Sequence, residues 1–348
     1  MLKQSIPVTI ITGFLGAGKT TLLRKLLLKG EQKLAVVVNE FGSVGLDGEL
    51  LKTCGFCPDD QVEERIVELN NGCLCCTVQD DFLPTIENLV NLTDKLDGII
   101  IETSGLALPG PLLKALDWPA IRTRVYLNGV ITIVDGEALS KGSPVGDINL
   151  IKDQRQADKA IDHETCLNEL FADQLKFADM ILISRSDLIS VESLSKIKKY
   201  LTSFGTSSPL IPISNGEIEP SLILGLNSNI EKVKNLTNSE EADHHHHHHL
   251  NVNSGSIRVE IDFSEKEIKE FLIEMVLLYQ IIRLKGRLWI PGKAIPLQIQ
   301  MVGNRFNSWF ESAPEKTWKP VRGGLDLNLI SFQDGVAESI QAKLENRI

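Results

Sequence analysis

Gly13-Phe14-Leu15-Gly16-Ala17-Gly18-Lys19-Thr20 fits the pattern G-x-x-x-x-G-K-[ST], and no other stretch constrains the fold as strongly. The pattern requires a strand before it and a helix after it. Both are legible. Residues 7–12 form a buried apolar run, and residues 19–29 set Leu22, Leu23, Leu26 and Leu27 on one helical face. In such a loop Gly13, Gly16, Ala17 and Gly18 let successive backbone N–H groups curl around phosphate oxygens, at a helix N-terminus whose dipole favours an anion. Lys19 offers a charge to the β- and γ-phosphates, and the Thr20 hydroxyl can ligate Mg²⁺. The apolar opening superficially resembles a secretory leader, but glycines interrupt it and Lys19 follows, so it reads as strand and loop.

Further apolar runs at 34–38, 66–69, 98–101, 129–134, 180–183 and 210–213 alternate with helical stretches. Short Val/Ile/Leu runs separated by helices predict an α/β domain, a mostly parallel sheet covered on both faces, over 1–227. From 228 to 254 Asn, Ser, Glu and Asp dominate around the tract His244 to His249, which predicts a flexible His-rich linker. Residues 255–348 open on an alternating strand at 257–263. A helix follows to about 278, then strands at 287–290 and 297–302 and a closing helix at 334–347. This predicts a small α+β domain of ferredoxin-like type.

Composition excludes more than it selects. With 43% hydrophobic and 24% charged residues the chain has ample material for a core. Its net charge of −10 leaves no global basic field for nucleic acid, and no run of 18 apolar residues offers a membrane span. A cytoplasmic protein is expected.

Two segments choose among phosphate-loop proteins. Ile99-Ile100-Ile101-Glu102-Thr103-Ser104-Gly105 is an apolar strand ending in a carboxylate that can hold Mg²⁺, directly or through water. The Gly105 N–H three residues on can sense a γ-phosphate. Ser184-Arg185-Ser186-Asp187 follows a second strand where GTP-binding proteins usually carry Asn-Lys-x-Asp. The Asp187 carboxylate can accept two hydrogen bonds from guanine, which adenine does not supply, and the planar head of Arg185 can stack on the base in place of lysine. Ser214-Asn215-Gly216 is a further candidate base-contact loop.

The six cysteines cluster, with only Cys166 isolated. Cys73, Cys75 and Cys76 bring three thiols within four positions after the turn-forming Asn70-Asn71-Gly72. Three neighbouring thiolates suit Zn²⁺ or Co²⁺ in tetrahedral coordination with one open position. Cys54-Gly55-Phe56-Cys57 has zinc-ligand spacing without a second pair at standard distance, so accessory ligand and structural pair both stay open. The histidine tract suits a metal reservoir of adaptable geometry, whereas His163 is read as a polar surface residue.

These motifs, together with Thr21, Val38-Asn39-Glu40-Phe41-Gly42 and Asn71-Gly72-Cys73-Leu74-Cys75-Cys76, resemble the CobW-type metal-chaperone GTPases. That family is a SIMIBI-class group of phosphate-loop proteins, related to the nickel-handling accessory GTPases of urease and hydrogenase. Val44-Gly45-Leu46-Asp47-Gly48-Glu49, Leu106-Ala107-Leu108-Pro109 and Ala160-Ile161-Asp162-His163-Glu164 resemble its cobalamin-biosynthesis branch. The resemblance implies GTP hydrolysis coupled to transition-metal handling, with Lys19, Thr20 and Thr21 on the nucleotide and Glu102 on the Mg²⁺ side. Glu40 is implied in a switch region near nucleotide and transition metal, and Cys73, Cys75 and Cys76 as its ligands. For that branch it implies delivery of Co²⁺ to a cobaltochelatase; Zn²⁺ handling is the alternative within the family. A small-molecule phosphate-loop kinase with structural cysteines, and a metal-storage or redox-thiol protein, are the competing classes.

Overall fold

The computed structural model describes residues 5–29, 33–38, 66–68, 82–92, 96–146, 167–225, 252–314 and 317–347. The expectations for Glu40, all six cysteines, His163 and the 244–249 tract lie outside the described residues. The chain divides into two compact units, Met1–Thr206 with Leu210–Leu224, and Ser207–Pro209 with Gly225–Ile348.

Among the described residues the first unit has seven strands: β1 (Ile6–Thr12), β2 (Leu34–Val38), β3 (Ile66–Glu68), β4 (Gly98–Glu102), β5 (Val125–Asp135), β6 (Met180–Ser184) and β7 (Leu210–Pro212). They form one sheet in the order β3-β2-β4-β1-β5-β6-β7, with every pairing parallel. Each of the seven expected strands is present. Parallel pairing makes all strands end at the same edge, and the register aligns those ends: Ile11 faces Glu102, Val38 faces both Glu102 and Glu68, and Asp135 faces Ser184. Functional loops therefore gather at one rim.

Continuous apolar strands demand helical cover, and by register two cores lie side by side on the face that carries Ile10, Ile101, Val134 and Ile183. One core joins Val8, Ile10, Ile99 and Ile101 to Phe82, Ile86 and Leu89 beside α2 (Leu83–Leu92), and to Leu112, Ala115 and Leu116 of α3 (Gly110–Leu116). Another joins Ile181, Ile183 and Val134 to residues of α5 (Leu167–Phe177) and α6 (Val191–Thr202). Helix α1 (Lys19–Lys29) buries Leu22, Leu23 and Leu26. Strand β5 runs directly into α4 (Gly136–Ser140), a one-turn helix capped by Asp135, and among the described residues α7 (Pro220–Leu224) is the last helix of the unit. Strand β5 begins four residues earlier than the sequence suggests. Asn128-Gly129 reads as a breaker, yet Asn128 sits at a register irregularity, where its buried Nδ2 donates to Thr9 Oγ1 at 2.8 Å and to the Ile223 carbonyl at 3.0 Å.

Among the described residues the second unit is a five-stranded antiparallel sheet, β8 (Asn253–Val259), β9 (Ile281–Trp289), β10 (Leu297–Val302), β11 (Arg305–Phe310) and β12 (Gly324–Ser331), in the order β11-β10-β9-β12-β8. Helices α8 (Glu265–Tyr279) and α9 (Val336–Glu345) pack on the face carrying Leu284, Leu288, Ile299, Leu325, Leu327 and Leu329. The expected α+β class holds, including a strand–helix–strand unit split by an intervening antiparallel strand. The sheet has two strands that the sequence reading did not place, β11 and β12, and its second helix follows the last strand.

Candidate nucleotide site

The loop between β1 and α1 is shaped by three glycines in left-handed conformations, Gly13 (φ 135°), Gly16 (φ 76°) and Gly18 (φ 103°). At Gly13 a side chain is barred twice, by φ and by the Ile133 backbone, into which a Cβ would project. Alternating backbone handedness of this kind makes a concave nest of N–H groups. Lys19, buried at the head of α1, donates through Nζ to the carbonyls of Gly13 at 2.8 Å and Phe14 at 3.2 Å, so its ammonium lies over the loop. Ala17 is buried within the loop, and Thr21 is exposed one residue past Thr20.

Thr20 Oγ1 donates to Glu102 Oε1 at 3.2 Å. The strand register brings this pair together: Glu102 ends β4 beside β1, which leads into the loop bearing Thr20. A hydroxyl beside a buried carboxylate is a set of hard oxygen donors suited to Mg²⁺, so the residues fit that ion. Beyond Glu102 the chain stays on β1 for one more bond, Thr103 N–H to the Ile11 carbonyl at 2.9 Å, while the Thr103 and Thr12 hydroxyls bond at 2.9 Å. The chain then passes Gly105 against the phosphate loop. A Cβ at Gly105 would lie 2.6 Å from Leu15 N and 3.1 Å from Leu15 Cα, so the approach of the two backbones requires glycine.

The loops after β6 and β7 are joined to each other. Ser186 N–H donates to the Ile213 carbonyl at 3.1 Å, and the Ser186 and Ser214 hydroxyls share a bond of 3.1 Å. Asn215 (φ 51°) and Gly216 (φ 68°) turn the second loop onto the start of α1, where a Cβ on Gly216 would meet Thr21 and Leu22 backbone at 3.0 Å. Asp187 lies exposed in a 3₁₀ turn, Ser186–Leu188, beside this junction. The structure thus brings Gly13, Gly16, Ala17, Gly18, Lys19, Thr20, Glu102, Gly105 and Asp187 to the loops at one sheet rim.

Two residues escaped the sequence reading, Asp135, which is met through Arg185, and Gln174. Arg185, itself left-handed at φ 52°, donates from Nη1 to Asp135 Oδ2 and from Nη2 to the Gly16 carbonyl at 3.1 Å. The arginine standing where lysine is usual is therefore tied to the phosphate loop, and it is oriented by the nearly buried carboxylate of Asp135, which also caps α4 through Ala138 N–H at 3.1 Å. The second is Gln174, buried on α5, which donates to two carbonyls of the loop after β4. An acidic residue ending a strand gave a faint signal at Asp135. A glutamine inside an amphipathic helix gave none.

Residues 7–212 match the family described as CobW/HypB/UreG, nucleotide-binding domain, and residues 252–346 match the Cobalamin synthesis protein cobW C-terminal domain. The chain belongs to the CobW/HypB/UreG family. It is, with that family, a P-loop GTPase. Among its relatives, Zinc chaperone CobW of Pseudomonas aeruginosa is 41% identical over 310 residues, 88% of this chain and 83% of that protein. Zinc chaperone CobW of a Sinorhizobium species is 40% identical over 322 residues, covering 89% of each chain. Zinc chaperone YjiA of Escherichia coli is 30% identical over 330 residues, 90% of this chain and 92% of that one. Among the described residues no helix is long and apolar enough to cross a membrane.

Proposed function

We propose that this GTPase of the CobW/HypB/UreG family is a metal chaperone. GTP, held by the phosphate loop with Mg²⁺ on Thr20 and Glu102, makes the cysteine site competent for a transition metal, and hydrolysis releases the metal to an accepting protein. Lys19 neutralises phosphate charge, Gly105 N–H senses the γ-phosphate, and Asp187 selects guanine. Bound Mg²⁺ would supply charge neutralisation across the phosphates.

The observation that carries the reading is the shared rim. Val38 pairs with Glu102 on one side and Glu68 on the other, so β3 leaves the sheet in the row that holds the Mg²⁺ candidate. Strands two apart are separated by about 10 Å. Cys73 stands five residues after Glu68, and five residues span at most about 17 Å. The thiols are thus within chain reach of the nucleotide loops, as a switch between the two sites requires. Glu40, two residues past Val38, is in reach of the same rim.

Zinc is the cargo we favour, because relatives at 40% identity or more along most of their length are named zinc chaperones. Cobalt supplied to a cobaltochelatase is the second reading, favoured by the match to the cobalamin-synthesis C-terminal domain. Thiolates accept both ions, so ligand type does not decide between them. The cysteine assignment is tested with Co²⁺ as a spectroscopic probe. The unmodified protein with Mg²⁺ and a non-hydrolysable GTP analogue gives thiolate charge-transfer bands that Zn²⁺ displaces, and the Cys75→Ala, Cys76→Ala double variant loses them. Bands that survive the double substitution move the site elsewhere.

A further inference from the structure

Helix α5 touches both halves of the nucleotide machinery from one face. Phe171 and Gln174 are three residues apart and so lie one above the other on the helix. The Phe171 ring stacks on Phe14 of the phosphate loop, with centroids 5.9 Å apart and planes at 14°. Gln174, 1% exposed, donates from Nε2 to the Gly105 carbonyl at 3.0 Å and, more weakly, to the Ala107 carbonyl at 3.4 Å. Turned over, the same amide would set its oxygen against two carbonyl oxygens, so the loop dictates which end faces it. The helix is itself fastened to the sheet at this point, through Thr132 Oγ1 donating to the Gln174 carbonyl at 3.3 Å. Leu106, between the two gripped carbonyls, packs in the same core as Phe14, Phe171 and Leu175.

We propose that Gln174 is a positioning residue for γ-phosphate sensing. From α5 it holds the loop after β4 at a fixed height above the phosphate loop, and it passes the movement of that loop back to the helix. The proposal rests on the reading of Gly105 as the γ-phosphate contact. The Gly105 N–H and the Gly105 carbonyl belong to successive peptide units, so drawing the N–H toward a phosphate shifts the carbonyl that Gln174 grips. Because Phe171 pins the same helix to Phe14, the amide must release its carbonyls or α5 must move with the loop. With the grip kept, α5, whose Asn168 and Glu169 are exposed, moves with the loop and differs between the GDP and GTP states.

The test compares Gln174→Leu, which keeps bulk and removes the donor, with Glu169→Gln on the exposed side of the same helix. Dissociation constants for GDP and for a non-hydrolysable GTP analogue are measured with Mg²⁺, together with kcat for GTP. Gln174→Leu is expected to leave GDP binding within about twofold and to weaken the analogue about tenfold, with kcat falling in parallel. Glu169→Gln is expected to change neither. A preserved ratio of the two affinities in Gln174→Leu, including a proportional loss of both with lowered Tm, overturns the proposal and leaves the Gly105 reading intact. Equal affinity of the unmodified protein for the two nucleotides overturns the Gly105 reading and this proposal with it. Should Gln174→Leu not fold, hydrogen exchange on the unmodified protein decides. Peptides covering Leu167–Phe177 must change protection along with those covering residues 103–107 when the analogue replaces GDP; a change confined to the loop overturns the proposal.

Discussion

Gly105→Ala isolates the contact between the loop after β4 and the phosphate loop. At Gly13 an added methyl is opposed both by φ and by space, whereas at Gly105 φ is not in the left-handed range and only space opposes it. The new Cβ would stand 2.6 Å from Leu15 N and 3.1 Å from Leu15 Cα. Ordinary contact is about 3.5–4.0 Å, so the loops must part by roughly 1 Å. Both partners are backbone, and neither yields without disturbing hydrogen bonds on its own side: Ala17 N–H to Phe14 carbonyl at 3.1 Å, and Gln174 to Gly105 carbonyl at 3.0 Å. Overpacking of this kind costs about 1–3 kcal/mol. For a unit of this size each kcal/mol lowers Tm by about 2–4 °C, so calorimetry should show a fall of roughly 2–12 °C. If Gly105 N–H meets the γ-phosphate, the same displacement weakens a non-hydrolysable GTP analogue more than GDP, measured by titration calorimetry. A variant with unchanged Tm would refute the steric argument, and one with an unchanged affinity ratio would refute the sensing role.

Lys19→Ala should abolish most nucleotide affinity, since each hydrogen bond lost to a charged partner costs about 1.5–3 kcal/mol; equilibrium binding of a fluorescent guanine nucleotide reads it. Asp187→Asn should erode the preference for GTP over ATP by about tenfold, and competition binding tests this. In the C-terminal unit, burial first and then the neighbouring Arg287 and Arg283 guanidiniums push Lys285 below its ordinary value of 10.5. Between its folded value and 10.5 the unfolded chain therefore binds the extra proton, so stability rises as pH climbs through that interval. Lys285→Met should remove this rise in urea melts taken across alkaline pH, and should raise stability at neutral pH. A pH slope identical to the unmodified protein would contradict the assignment.

How far the sequence carried depended on whether each feature was encoded locally. The phosphate loop and the strands at 7–12, 98–101 and 180–183 are local, because apolar runs and glycine spacing carry their own signal. Glu102 was legible as a strand end, and its nearness to Thr20 follows once β1 and β4 pair in parallel. Strand β12 was also written in alternation, Leu325, Leu327 and Leu329 inward against Asp326 and Asn328, but Asp and Asn are depleted in strands and masked it. Strand β11, Arg305–Phe310, holds Phe306, Trp309 and Phe310 without the alternation that marks a strand, and gains its place by pairing with β10. Asp135 with Arg185, and Gln174 with Gly105, join residues 50 and 69 positions apart. No periodicity records such partners; they exist only once the sheet has set its loops side by side. The cysteine cluster at 73–76, conspicuous in the sequence, lies outside the described residues.

The central claim is that nucleotide state governs metal affinity, and metal titration in the two states tests it most directly. Zn²⁺ affinity, measured by competition with a chromophoric chelator, is predicted to be far tighter with Mg²⁺ and a non-hydrolysable GTP analogue than with Mg²⁺ and GDP. Linkage then requires Zn²⁺ to tighten binding of the analogue, relative to GDP, by the same factor, which gives an internal check from a separate titration. Equal metal affinities in the two nucleotide states would contradict the account, whatever the rate of GTP hydrolysis.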